Sequence, residues 1–127
     1  MRGFGELESV IMDHLWNQDG PATVRMVLDG IRTPRPLAYT TVLTVMDNLH
    51  GKGFLARERE GRAHIYWPTR SRADYAAELM GEALADSGDP TAALLRFVEQ
   101  MPANEVSRLR RMLRTTASSD QSSGRRQ

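Results

Sequence analysis

A mainly α fold with one small β-hairpin follows from three observations on the sequence. Apolar residues recur at helical spacing through the first fifty residues, the period changes to alternation between Phe54 and Pro68, and helical spacing returns from Ser71 onward. The chain has 127 residues, room for one globular domain or for a small domain with an appended helical arm, and length alone does not choose between them. With 40% hydrophobic and 26% charged residues, folding over most of the length is expected.

From Glu6 to Trp16, Leu7, Val10, Ile11 and Leu15 share one face while Glu8, Asp13 and His14 look elsewhere, which predicts an amphipathic helix. Asn17 to Pro21 collects turn-forming residues. Thr23 is placed to cap a second helix carrying Val24, Val27, Leu28 and Ile31. Pro34 and Pro36 forbid helix in the segment that follows, because proline lacks the amide donor and restricts the residue before it. Beyond that loop, Val42, Val45, Met46 and Leu49 form a stripe on a third helix, with Thr40, Thr41, Thr44, Asn48 and Lys52 on its other faces. Gly51 and Gly53 end it. Phe54 to Arg59 runs into Glu60-Gly61, and Arg62 to Trp67 runs back, predicting a hairpin with basic residues near its tip. Helix, helix, helix, hairpin is the order of a winged helix-turn-helix, assigned to residues 1–69.

Residues 70–116 read as three helices. Ser71 and Asp74 have capping-box spacing, Tyr75, Leu79, Met80, Ala83 and Leu84 share a side, and Asp89-Pro90 starts the next helix with its stripe of Leu94, Phe97, Val98 and Met101. After Pro102 the last stripe is Val106, Leu109, Met112 and Leu113. Helices this short are marginal alone, so their stripes predict a dimerisation arm built on Tyr75, Leu79, Leu84, Leu94, Phe97, Val98, Met101, Val106, Leu109 and Leu113. Residues 117–127 have almost nothing to bury and are expected to be a disordered tail.

The absence of cysteine excludes disulfides and thiolate chemistry, and no apolar run approaches a membrane span, so a cytoplasmic protein without membrane insertion is expected. Net charge is only +1, but residues 32–70 hold seven cations (Arg32, Arg35, Lys52, Arg57, Arg59, Arg62, Arg70) against three anions (Asp47, Glu58, Glu60), a local excess suited to a polyanion. Base edges in a major groove are read by short polar side chains on a helix, while cations hold the phosphates. Thr40, Thr41, Thr44 and Asn48 have the first character; Lys52, Arg57, Arg59 and Arg62 have the second. Carboxylates are scattered, no glycine-rich phosphate loop follows a strand, and His14, His50 and His64 lie on separate elements. No enzyme activity, metal or cofactor is therefore expected.

Glu6-Leu7-Glu8 with Val10, Met12 and Leu15-Trp16, then Pro21, Thr23-Val24-Arg25 and Val27, then Tyr39-Thr40-Thr41-Val42 with Thr44-Val45, Leu49 and Lys52-Gly53, and finally Glu60-Gly61-Arg62 and Tyr66, occur in the order and at the separations of a known family. Over roughly residues 6–115 the chain resembles the penicillinase-repressor family of BlaI, MecI and CopY regulators, in its BlaI-like branch. The resemblance implies a homodimeric transcriptional repressor on an inverted-repeat operator, and it adds Thr23, Arg25 and Tyr39 to the DNA-binding residues. It also implies an antibiotic response, with repression relieved when a membrane sensor-protease pathway leads to cutting in the arm. Asn48 and Gly51 stand where the family often has arginine and lysine, and Arg96-Phe97 stands where the β-lactam branch is cut at Asn-Phe. The copper branch's cysteine motif is absent. Two rival readings are a ligand-sensing regulator, with Met26, Tyr75 and Met80 lining a pocket, and a winged helix that docks on protein instead of DNA.

Overall fold

The computed structural model describes residues 3–124, which divide into two compact units with the boundary between Gly81 and Glu82. The first unit contains α1 (Glu6–Asn17), α2 (Val24–Gly30), α3 (Tyr39–Gly51), β1 (Leu55–Glu60), β2 (Ala63–Pro68) and the opening turns of α4 (Arg72–Asp86). The second contains the end of α4, α5 (Pro90–Gln100) and α6 (Ala103–Gly124). This is the mainly helical architecture with a two-stranded antiparallel wing that the sequence predicts. Among the described residues no helix is long and apolar enough to cross a membrane.

Local chemistry sets the helix ends. The Glu8 carboxylate accepts from the Gly5 amide at 3.0 Å, and Thr23 Oγ1 accepts from the Met26 amide at 3.1 Å. Ser71 and Asp89 cap α4 and α5 in the same way, through the amides of Asp74 and Ala92. At the end of α3 the Gly53 amide donates to His50 O and the Phe54 amide to Leu49 O, the paired bonds of a Schellman turn. Gly53 has φ 88°, a conformation that glycine enters without strain. Gly51, two residues earlier, is helical with open space around its α-carbon. Opposite results are expected in thermal melts: Gly51→Ala should stabilise by about 0.5–1 kcal/mol, and Gly53→Ala should destabilise by about 1–2 kcal/mol.

Ile11, Met12, Leu15, Val24, Val27, Val42, Met46, Leu49, Leu55 and Tyr66 form the core, packed between the first three helices and the root of the hairpin. Each such side chain removed from water contributes roughly 1.5–3 kcal/mol. A second layer is aromatic. Phe4 stacks on Tyr75 with centroids 4.2 Å apart, Phe54 meets both edge-on, and Trp16 tilts against the pair. The Tyr75 hydroxyl accepts from the Phe4 amide at 3.0 Å, and Trp16 Nε1 donates to Arg70 O at 2.8 Å. These contacts fasten the start of α4 to the first unit.

At three points the structure differs from the expectations. Tyr75, assigned to dimerisation, is buried in its own chain because its ring completes the aromatic layer, and Leu79 packs partly against the same core. The first unit thus extends to residue 81, where the sequence reading stops at 69, since that reading does not foresee Phe4 reaching Tyr75. Finally, α6 continues through residues 117–124, inside the segment expected to be disordered. Lengthening a helix already formed adds one hydrogen bond for each residue fixed, a far smaller demand than starting one. Residues 125–127 of the expected tail lie outside the described residues.

Candidate nucleic-acid interface

The third helix has two unlike sides. Val42, Met46 and Leu49 are fully buried and hold it to the core, while Thr40, Thr41, Thr44 and Asn48 are exposed. Helical geometry places those four polar residues on neighbouring turns of one surface. Tyr39, at the first helical position, is 44% exposed.

Strand register decides what the hairpin presents beside this surface. Arg57 pairs with Tyr66 and Arg59 with His64, whereas Glu58 pairs with Ile65 and Glu60 with Ala63. Directly opposed residues share a face, so both arginines lie on the side that buries Leu55 and Tyr66, and both glutamates lie on the other. The tip carries Gly61, φ 64°, followed by exposed Arg62, a glycine-first two-residue turn.

Asp47 joins helix to wing. Tyr66 Oη donates to its Oδ1 at 2.7 Å, and Arg57 Nη1 donates to the same oxygen at 2.8 Å. Burial, reinforced by the bond to Asp47, pushes the Tyr66 hydroxyl up to about 12, so it remains a donor throughout the neutral range. Lys52 is engaged in a similar way, its Nζ lying 2.8 Å from Glu8 Oε2. That bond, then the one from the Gly5 amide, lowers the Glu8 pKa. The Glu8 contribution to stability is accordingly present above the ordinary glutamate range and fades as pH falls through the lowered value.

Of the residues expected to touch DNA, Thr40, Thr41, Thr44, Asn48, Tyr39, Arg25, Arg59 and Arg62 are exposed. Arg25 and Arg62 form no ion pair among the described residues. Arg59 Nε donates to the Gly61 carbonyl at 3.3 Å. Thr23 is half-buried with its oxygen used as a helix cap, and Lys52 and Arg57 are tied to carboxylates of their own chain. Sequence reasoning misses Asp47, Glu8 and Tyr66, because ten residues or more separate each from its partner. Met26 and Met80 are about half exposed and Tyr75 is packed among aromatics, so the three do not form the ligand pocket of the first rival reading.

In the second unit no residue of α5 is buried. Leu94, Phe97, Leu109 and Leu113 are 39–59% exposed, and Val98, Met101, Val106 and Leu84 are half-buried. Leu95 and Met112 add to the uncovered apolar surface at 57% and 59%. Leu95 lies off the stripe read from the sequence, so spacing alone does not reveal it.

A family model described as "Penicillinase repressor" matches residues 4–115. The chain is also 46% identical over 112 residues to a "Transcriptional regulator BlaI" from Mycobacterium tuberculosis, in strains CDC 1551 / Oshkosh and ATCC 25618 / H37Rv. Each alignment covers 86% of this chain and 81% of the relative.

Proposed function

The chain belongs to the penicillinase repressor family, and from that premise we propose that it represses transcription as a homodimer on an inverted-repeat DNA operator. One observation carries the reading: the threonine and asparagine surface of α3 is open to solvent while the opposite side of that helix is locked in the core. Thr40, Thr41, Thr44 and Asn48 read base edges in the major groove, and Arg25, Arg59 and Arg62 hold phosphates. Tyr39 supports the start of the helix against the backbone. The uncovered faces of α5 and α6 supply the dimer contact, and twofold symmetry of the protein then matches that of the operator.

Relief of repression by cutting in the arm, downstream of a membrane sensor-protease that detects β-lactams, belongs to the same proposal. Separating the arms would leave each recognition helix with a single half-site. The Arg96-Phe97 bond lies inside α5, so a protease that needs an extended substrate would have to open that helix first.

Footprinting on the promoter upstream of the protein's own coding sequence tests the reading, with a protected inverted repeat as the expected result. Thr44→Ala should reduce the preference for operator over random duplex by about tenfold or more. Arg62→Gln should weaken binding to both duplexes alike and reduce the salt slope by about one for each protomer. Equal losses on both duplexes for Thr44→Ala would remove α3 as the reading surface.

A further inference from the structure

The Asp47 carboxylate occupies an unexpected place. It follows Thr40 by seven residues and Thr44 by three, which puts it at the edge of the surface read as facing bases. Its side chain is 44% exposed, so it would meet the phosphate-rich side of a groove as an anion. Two donors converge on its Oδ1, Arg57 Nη1 at 2.8 Å and Tyr66 Oη at 2.7 Å. Tyr66 is fully buried and bridges to Ala22 through paired backbone bonds of 2.8 and 3.0 Å, so the hydroxyl that meets Asp47 is anchored in the core. The Arg57 side chain, 33% exposed, is the least exposed cation among the ion pairs of the described residues.

We propose that Asp47 withholds Arg57 from the phosphate backbone, so that the wing holds DNA of any sequence through its tip, Arg59 and Arg62, and not through the arginine nearest α3. The proposal rests on the reading of α3 as a duplex-binding helix. Sequence-independent affinity comes almost entirely from phosphate contacts, so a cation neutralised within the fold lowers that affinity without touching the base-reading residues. Asp47 is in this sense a positioning residue: it acts on DNA through Arg57.

The test is the affinity of the full chain for a random-sequence duplex across a range of salt concentrations, for wild type, Arg57→Gln, Asp47→Asn, Asp47→Ala and the double variant Asp47→Ala with Arg57→Gln. Circular dichroism melts establish that each is folded. Arg57→Gln alone should leave the salt slope unchanged. Asp47→Ala should steepen it by about 0.9 for each protomer bound and raise low-salt affinity up to about tenfold, while the double variant returns to the wild-type slope. Asp47→Asn should fall between wild type and Asp47→Ala, since an amide oxygen still accepts from Arg57 but no longer neutralises it. A slope that drops by about 0.9 on Arg57→Gln alone would show Arg57 already on a phosphate and overturn the proposal. So would a gain from Asp47→Ala that persists without Arg57, because removal of an anion would then explain everything. If wild type ignores duplex DNA at low salt, the functional reading falls together with this one; if wild type binds and only the cycle fails, this inference alone is lost.

Discussion

Phe97→Asp is expected to leave the first unit folded and yet cut affinity for an operator-bearing duplex by at least about a hundredfold, the scale on which a second linked site contributes. Phe97 is 47% exposed on a helix with no buried residue, flanked by Leu94 and Leu95, and Leu109, Met112 and Leu113 of α6 are exposed too. Side chains of this kind have an unsatisfied apolar surface in the single chain, and a carboxylate placed among them would have to lose its water for a second copy to dock there as proposed. Sedimentation should show monomer at micromolar concentrations where the wild type is proposed to be a dimer, and gel shifts should show the matching loss. A dimer that persists in this variant would place the interface elsewhere.

Tyr75→Ala should act in a different way. It removes the ring stacked on Phe4, the edge contact with Phe54 and the acceptor for the Phe4 amide, so a loss of about 3–5 kcal/mol is expected, the usual range for deleting a buried aromatic. Introduced together with Phe97→Asp, where association no longer contributes, it should lower the denaturant midpoint of the first unit by the full amount. In the otherwise wild-type chain at low temperature, the dimer constant should change little. Dissociation without loss of stability would place Tyr75 in the proposed dimer contact.

The elements themselves are legible in the sequence because each has its own local signature. The i, i+3, i+4 stripes, the Thr23 and Asp89 caps, the prolines before Tyr39 and the Gly61 turn are all short-range features. The exposed residues of α3 are legible for the same reason, since the buried stripe fixes which residues are left outside. What is hidden depends on long-range pairing. Nothing near Tyr75 indicates that Phe4, 71 positions away, will stack on it, and nothing near Lys52 indicates Glu8, 44 positions away. A count of cations along the chain therefore does not reveal that Lys52 and Arg57 are paired with carboxylates that only folding brings close.

The two-faced hairpin makes the wing sensitive to insertion or deletion. Loss of Ala56 would turn the strand over, aiming Glu58 and Glu60 where the arginines now point, so that a carboxylate would face Asp47 in place of Arg57. Strand length is thus as much a determinant of the molecule's polarity as the identity of any side chain on it.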